Sequence, residues 1–343
     1  MKNIILILFL SSSFVQCQSK STNPVSFSKN SVEYWDLKTG SHIAYVHVPA
    51  KDSVNAVPLI FLHGGPGACQ VNSFGKEAPV EWYNKLAGKK FDIYIYDQIG
   101  SGLSARLNDP TQYTVERHVS DLEEIRNIIG NKPCILIGDS WGSTLASHYM
   151  VKYPQNVIKA IFTSPGSIDI RDWNDEYSSV PRFLSGWYPW IGYKYGEERL
   201  NRYYQLDKLM QTNIHKAYEF AGDEEMDRLA DDFITAEIFE TCVYNKAFTK
   251  SPEFRMNGMG WWASAMTIFD LMNSKPIKYI LKQNSTPILV LRGDADYLEP
   301  GIADQYTTVF PNSKLIRIPK AGHFIWLDQP GIYRKEIENF LFK

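Results

Sequence analysis

The sequence has 343 residues, which is enough for one large domain or two domains of ordinary size. Hydrophobic residues make up 44% of the chain and charged residues 22%, and this composition excludes a disordered or collagen-like protein. The formal net charge is -2, from 36 basic and 38 acidic side chains, so no basic excess points to nucleic acid as a partner.

The chain begins with a short basic head that is followed by the apolar run Ile4 to Leu10. This run is too short to span a bilayer, which takes roughly 20 residues. It is typical of an export signal, and the alternative is an ordinary buried strand. The sequence therefore predicts a signal peptide over 1–17, a polar tether over 18–30, and an exported protein.

Cys17 lies at the end of this segment and resembles the lipid-modified cysteine of bacterial lipoproteins. The resemblance implies a lipoprotein of a bacterial envelope, anchored to a membrane surface by its lipid. Free export to the periplasm or the medium is the alternative. The other cysteines, Cys69, Cys134 and Cys242, match no zinc spacing, and we expect three free thiols rather than a disulfide.

Short apolar runs rich in β-branched residues alternate with helical patterns between residues 31 and 165. Such runs are typical of strands that are buried on both faces of a parallel sheet. The predicted strands are Val57 to His63, Phe91 to Asp97, Pro133 to Gly138 and Val157 to Thr163.

The sequence predicts further elements before, between and after these strands. Val32 to Val48 has the pattern of an antiparallel hairpin, and Thr114 to Ile129 that of a helix with Thr114 as its N-cap. Two more strands, Pro287 to Leu291 and Lys314 to Ile318, precede a final helix over 331–342. Strands that alternate with helices predict an α/β fold with a mostly parallel sheet and helices on both faces. We assign 31–165 and 286–343 to this core.

The segment 166–285, which we call the cap, lacks such apolar runs and is rich in Trp and Tyr. Its pattern predicts several amphipathic helices, and we expect most of the aromatic side chains to form the segment's own core. An insertion between two strands of one sheet lies over the edge of that sheet. There the aromatic side chains would line an apolar pocket.

The motif Gly138-Asp139-Ser140-Trp141-Gly142 fits G-x-S-x-G and lies between a predicted strand and a predicted helix. A serine on such a turn takes a strained backbone conformation, so the residues two positions away on either side must be small. The turn presents the hydroxyl at a helix N-terminus, above the sheet. Ser140 is therefore a predicted nucleophile.

A serine hydroxyl needs a base to take its proton and an acid to orient that base. For this motif the order along the chain is serine, acid, histidine. His323 follows the last predicted strand and is the predicted base. Asp294 and Asp296 follow the strand before it, and both are candidates for the acid.

The stretch His63-Gly64-Gly65-Pro66-Gly67 follows the first predicted core strand. An oxyanion hole is expected here, because glycine lets backbone N–H groups approach a substrate closely. Pro66 has no N–H to donate, so we predict the amides of Gly65 and Trp141 as the donors. His63 competes with His323 as the base by residue type, but its place before this turn favours a structural role.

Five motifs together resemble the proline iminopeptidase branch of the α/β-hydrolase fold, peptidase family S33. They are HGGPG (63–67), YDQIGSG (96–102), GDSWGS (138–143), GDAD (293–296) and AGH (321–323). The resemblance covers about 31 to 343 and implies an α/β-hydrolase fold with a helical cap over 166–285. It implies Ser140 as nucleophile, Asp296 as acid and His323 as base, with Gly65 and Trp141 forming the oxyanion hole and no cofactor or metal.

The chain departs from related aminopeptidases where the substrate's amino group is held. In those, a Glu in a cap motif N-G-x-x-E and a Glu directly after the acid hold the amine. Trp261 and Tyr297 occupy these positions here, and aromatic rings offer an amine only a cation–π contact. Glu237 or Glu240 is the candidate substitute, although a solvated helix face explains their i, i+3 spacing equally well.

The leading hypothesis is an aminopeptidase that acts on short peptides or amino-acid amides through an acyl-enzyme on Ser140. A carboxylic ester or lactone hydrolase of the same fold is the main alternative, and a non-catalytic receptor is a third. We expect a small substrate and no nucleic-acid partner. The sequence leaves the oligomeric state open.

Overall fold

The structure, a computed structural model, describes residues 32–71, 80–169, 184–250 and 257–343. The predicted signal peptide, the predicted tether and Cys17 lie outside these residues. Within the described part of the chain, no helix has the length and apolar character needed to cross a membrane.

The described strands form one eight-stranded sheet in the order β1-β2-β4-β3-β5-β6-β7-β8. The strands are β1 Glu33–Asp36, β2 His42–Val48, β3 Val57–Leu62, β4 Phe91–Tyr96, β5 Cys134–Asp139, β6 Val157–Thr163, β7 Ile288–Gly293 and β8 Ser313–Ile318. The pairs β1–β2 and β2–β4 are antiparallel, and the other neighbours are parallel. The predicted hairpin and the six predicted core strands are confirmed, with small differences at their ends.

Helices cover both faces of this sheet. Those of the core are α1 Val80–Ala87, α2 Val115–Ile128, α3 Trp141–Lys152, α11 Pro300–Val309, α12 Ile325–Asp328 and α13 Pro330–Leu341. Those of the cap are α4 Tyr188–Tyr195, α5 Glu197–Thr212, α6 Ile214–Phe220, α7 Asp223–Phe233, α8 Phe239–Cys242, α9 Trp261–Asn273 and α10 Lys278–Leu281. Thr114 caps α2 as predicted, because its hydroxyl oxygen accepts a hydrogen bond from the Arg117 N–H at 3.1 Å.

Successive residues of β3 enter two separate hydrophobic clusters, one on each face of the sheet. Ile60 and Leu62 pack with side chains of α2 and α3, whereas Leu59 and Phe61 pack with side chains of α1 and α13. Each buried aliphatic or aromatic side chain contributes about 1.5–3 kcal/mol to stability. Because both faces are buried, the strand carries apolar residues at nearly every position.

Aromatic side chains form much of the interior of the cap, as predicted. Trp187 stacks on Phe233 at a ring-centroid distance of 4.2 Å, and Trp190 meets the same ring edge-on at 5.3 Å. Trp262 is completely buried. Trp173 lies outside the described residues. Buried side chains of the cap belong to the same cluster as those of α2 and α3, so cap and core share one interior.

Residues 257–261, here called the NGMGW segment, attach the cap to a turn of the core. The Gly260 N–H donates to the Gly67 carbonyl at 2.7 Å. On the cap side, the Asp231 carboxylate of α7 accepts a hydrogen bond from the Gly258 N–H at 2.9 Å. Backbone contacts on both sides fix this segment in the space directly beside the predicted oxyanion turn.

Among the described cysteines, Cys134 and Cys242 are free thiols, as predicted, and the Cys69 thiol donates to the Asn257 carbonyl at 2.9 Å. Burial raises the pKa of both Cys134 and Cys242 to about 12. Because the thiolate is the reactive form, these two side chains act as small apolar groups rather than as nucleophiles.

Candidate active site

Ser140 lies on a sharp turn between β5 and α3. Its backbone angles, φ 49° and ψ -117°, lie outside the regions that a residue with a side chain ordinarily adopts. A Cβ on Gly142 would lie 2.0 Å from the Leu62 carbonyl oxygen, and one on Gly138 would lie 2.6 Å from the Gly142 carbonyl oxygen. The G-x-S-x-G spacing therefore has a steric cause: the turn closes only with glycine at both positions.

His323 and Asp296 form a hydrogen-bonded pair on the loops that follow β8 and β7. The His323 Nδ1–H donates to Asp296 Oδ1 at 2.9 Å, and the two side chains are only 5% and 1% exposed. Asp296 Oδ1 also accepts a hydrogen bond from the Leu298 N–H at 3.0 Å. Asp294, the alternative acid, is exposed. The structure therefore pairs the histidine with Asp296.

The charges of this pair stabilise each other. Burial alone would lower the pKa of His323, but the hydrogen bond and charge of Asp296, together with the charge of Asp139, raise it above its ordinary value. Burial would likewise raise the pKa of Asp296, but the hydrogen bond and charge of His323 outweigh burial and lower it. An imidazolium that forms on His323 is therefore stabilised by two carboxylates.

The end of β6 holds the nucleophile turn and the histidine loop together. The Ser140 N–H donates to the Thr163 carbonyl at 2.9 Å. The next residue, Ser164, donates from its hydroxyl to the His323 carbonyl at 2.6 Å. The last residue of β6 and the residue that follows it thus fix the backbones that carry the predicted nucleophile and base.

The predicted oxyanion donors are the amides of Gly65 and Trp141. Gly65 has φ 111°, and a Cβ there would lie 2.7 Å from the Ala68 nitrogen, so this turn requires glycine. Trp141 is the first residue of α3, where a helical N–H has no partner within its own helix. Neither N–H donates to any atom in the part of the chain that the structure describes. Both donors are thus available to a ligand.

His63 supports this turn instead of acting as a second base. Its Nδ1–H donates to the Gly64 carbonyl at 2.9 Å, and its Nε2 accepts a hydrogen bond from the Gln98 N–H at 2.8 Å. Burial lowers the pKa of His63, so the ring is neutral and both nitrogens are engaged. This arrangement agrees with the structural role that the sequence favoured.

The four predicted substrate-binding residues lie in different environments. Tyr297 is half exposed, and its ring centroid lies 4.9 Å from that of His323. Trp261 is buried, and its backbone N–H donates to Asp227 Oδ1 at 2.8 Å. Glu237 and Glu240 are exposed, which agrees with the alternative of a solvated helix face.

Sequence reasoning missed two polar residues of this site. Gln98 lies in the DQIGSG motif, and its side chain bonds both to the oxyanion turn and to Trp141. Asp139 immediately precedes Ser140, and its Oδ1 accepts a hydrogen bond from the Thr163 hydroxyl at 2.8 Å. In the sequence, Asp139 could have been found as an acidic residue at the variable position that precedes the serine of G-x-S-x-G.

No group of His, Cys, Asp and Glu in the described residues is arranged to hold a metal ion.

A family model described as alpha/beta hydrolase fold matches residues 57–330. The chain belongs to the α/β-hydrolase fold family. Similar structures include an esterase from Exiguobacterium antarcticum, with a TM-score of 0.63, 16% identity, and coverage of 90% of this chain and 99% of that chain. The proline iminopeptidase of Mycobacterium smegmatis has a TM-score of 0.54, 20% identity, and coverage of 91% and 98%. These likenesses show the fold of this α/β-hydrolase.

Sequence relatives of this α/β-hydrolase include proline iminopeptidases. The one from Heyndrickxia coagulans is 25% identical over 296 residues, which cover 83% of this chain and 90% of that protein. The one from Flavobacterium johnsoniae is 21% identical over 298 residues, covering 83% and 89%. The predicted fold and the predicted resemblance to proline iminopeptidases are thus confirmed.

Proposed function

We propose that this α/β-hydrolase is a serine hydrolase that removes N-terminal residues from short peptides or amino-acid amides. The observation that carries the proposal is the buried hydrogen bond between His323 Nδ1 and Asp296 Oδ1. Ser164 anchors the His323 loop, and the preceding residue, Thr163, anchors the strained turn of Ser140. A strained serine and an oriented histidine whose backbones are held by the same strand end are suited to nucleophilic catalysis.

In the proposed mechanism Ser140 Oγ attacks the scissile carbonyl carbon while His323 Nε2 takes the hydroxyl proton. The negative charge that forms on the carbonyl oxygen is stabilised by the N–H groups of Gly65 and Trp141. His323 then gives its proton to the leaving amine as the carbon–nitrogen bond breaks, and an ester of Ser140 remains. Water attacks this ester by the same proton route, which releases the acid and restores Ser140. Asp296 stabilises the imidazolium in both halves of the reaction.

The proline iminopeptidases among the relatives support a substrate with a free N-terminus. A second candidate is the hydrolysis of a small carboxylic ester or lactone. It is favoured by Trp261 and Tyr297, which stand where the amine-holding glutamates are expected, and by the structural likeness to an esterase. The aminopeptidase and the ester or lactone hydrolase would both form an acyl-enzyme on Ser140. They differ in whether the acyl group of the substrate carries a free amine next to its carbonyl carbon.

A paired hydrolysis assay on the purified protein separates the two candidates. Prolyl and alanyl p-nitroanilides are compared with their N-acetylated forms and with p-nitrophenyl butyrate, and Ser140→Ala is the control. An aminopeptidase cleaves the free-amine anilides and loses this activity when they are acetylated. Cleavage of the ester alone, abolished in Ser140→Ala, would replace the aminopeptidase by an esterase. Full activity of Ser140→Ala on every substrate would reject the serine mechanism.

We also propose that the protein is exported and anchored to a membrane through lipid on Cys17. The support is the sequence over 1–17, with its apolar run of suitable length and its cysteine. Metabolic labelling of the expressing cells with a radioactive fatty acid is the test. Label is expected on the wild-type protein and not on Cys17→Ser, whereas equal labelling of both would contradict the proposal.

A further inference from the structure

Asp139 places a carboxylate directly beside the predicted nucleophile. It is the last residue of β5, and it is partly exposed although the five residues before it in the strand are buried. Ser140, which follows, is partly exposed as well. The chain thus opens to solvent at these two consecutive residues.

The two oxygens of the Asp139 carboxylate have different surroundings. Oδ1 accepts a hydrogen bond from the Thr163 hydroxyl at 2.8 Å, which fixes the orientation of the group. In the described part of the chain Oδ2 accepts no hydrogen bond, and it is not among the fully buried polar atoms without a partner. Oδ2 is therefore an accessible acceptor with a fixed position.

Gly64 lies next to both Asp139 Oδ2 and the Ser140 side chain, and the distances from it show that the two are close together. A Cβ built on Gly64 would lie 3.1 Å from Ser140 Cβ and 3.2 Å from Asp139 Oδ2. The nucleophile's side chain and the free carboxylate oxygen therefore border the same small space next to the oxyanion turn. Glycine at this position keeps that space open.

The surroundings of this carboxylate favour a cation. Burial raises the pKa of Asp139 to about 6, although the charge of His323 and the Thr163 hydroxyl act in the opposite direction. The group is thus mostly ionised at neutral pH but poorly solvated. A partly buried anion that keeps an unused acceptor is stabilised by a positive ligand that donates a hydrogen bond.

In an α-amino acyl substrate the ammonium group is separated from the scissile carbonyl by a single carbon atom. A group that binds this ammonium must therefore lie within a few ångströms of the nucleophile. Glu237 and Glu240 are exposed on the cap, and Trp261 and Tyr297 carry no carboxylate. Asp139 has both the charge and the position that such a substrate requires.

We propose that Asp139 Oδ2 binds the α-ammonium group of the substrate and thereby selects acyl groups with a free amine next to the scissile carbonyl. This inference rests on the proposed function. In this proposal Asp139 is a substrate-binding residue, and Asp296 orients His323.

The test compares Asp139→Asn with the wild type on alanyl p-nitroanilide and on p-nitrophenyl butyrate. Asparagine keeps an oxygen for the Thr163 hydroxyl but removes the charge. The kcat/KM for the free-amine anilide is expected to fall by about 10- to 100-fold, mainly through KM, which is the loss typical of one hydrogen bond to a charged group. The ester has no ammonium group, so its loss measures only the effect of Asp139 on His323, and the anilide is expected to lose about tenfold more activity than the ester. Remaining ester hydrolysis also shows that the variant is folded.

The matched control is Asp294→Asn, which removes an exposed carboxylate from the loop of Asp296 and is expected to leave both activities unchanged. If the anilide and the ester lose activity equally in Asp139→Asn, the carboxylate acts through His323 or the fold, and the proposal is overturned. An unchanged kcat/KM for the anilide overturns it as well.

Inhibition of ester hydrolysis separates this proposal from the proposed function. If the wild type cleaves only the ester, the aminopeptidase is rejected, but alaninamide still probes the ammonium site as a competitive inhibitor. Binding that is weakened about tenfold or more in Asp139→Asn, with no such change for N-acetylalaninamide, supports the site. Equal inhibition of both proteins by alaninamide would reject it.

Discussion

Gln98 accepts a hydrogen bond on its side-chain Oε1 from the indole Nε1–H of Trp141 at 2.8 Å. The Nε2–H of the same amide donates to the His63 carbonyl at 3.0 Å. One buried side chain therefore connects the turn that carries Gly65 with the start of the helix that carries Trp141. The separation of the two predicted oxyanion donors depends on this amide.

Replacing Gln98 with methionine is expected to lower kcat about tenfold with little change in KM. The variant leaves a buried carbonyl and a buried indole N–H without partners, and each such group costs about 1–3 kcal/mol. Steady-state kinetics and the inhibition constant of a boronic acid measure the effect, since the boronate mimics the oxyanion. Gln305→Met is the control, because Gln305 bonds to Ile302 of its own helix and to Ser167. Lower thermal stability with unchanged kcat would show that Gln98 supports the fold alone.

The pH dependence of kcat/KM is expected to have its acidic midpoint above the ordinary histidine value of about 6.5. The base must be neutral to take a proton, and the pKa of His323 is raised by Asp296 and Asp139 in spite of burial. Activity is therefore lost as the pH falls through this raised pKa. In Asp296→Asn the midpoint moves to lower pH, and kcat falls by roughly 10³- to 10⁴-fold because the ring loses its orienting anion. An unchanged midpoint in this variant would contradict the assignment of Asp296.

Asp139→Asn is expected to stabilise the folded protein at neutral pH while it weakens substrate binding. The pKa of Asp139 rises from 3.8 to about 6, so the folded state favours the protonated form and stability falls as the pH rises between these values. Removing the charge recovers on the order of 3 kcal/mol at pH 7.5 and less than about 1 kcal/mol at pH 4. Urea unfolding at both pH values measures this. Equal differences at the two pH values would show that the charge of Asp139 is not the cause.

Gly142→Ala is expected to prevent folding or to cost several kcal/mol of stability. The new methyl group would lie 2.0 Å from the Leu62 carbonyl oxygen, which belongs to the backbone of a central strand and has no room to move. Gly301→Ala is the control, because no atom lies within 4 Å of a Cβ at this position of α11. It is expected to be neutral or to stabilise by up to about 1 kcal/mol. Soluble yield and thermal melting compare the two, and a stable Gly142→Ala protein would contradict the steric argument.

The strands and the nucleophile turn could be predicted from the sequence because their causes are local. A strand that is buried on both faces needs apolar residues at nearly every position, and this pattern is visible in a few consecutive residues such as Val157–Thr163. The turn at Ser140 needs small residues at fixed spacing, so it also leaves a local pattern. The position of His323 followed from strand order, because carboxyl ends of neighbouring parallel strands meet at one edge of the sheet.

The tertiary structure alone decided between residues that the sequence leaves equivalent. Asp294 and Asp296 lie two positions apart, and only the folded loop turns one carboxylate toward His323 and the other toward solvent. The bonds of Gln98 and the free oxygen of Asp139 likewise depend on partners far away in the chain. Hydrogen bonds require distances of about 3 Å and a defined direction. Residue type and spacing determined the fold and the motifs of this α/β-hydrolase, whereas these distances are set only when separate strands and loops pack together.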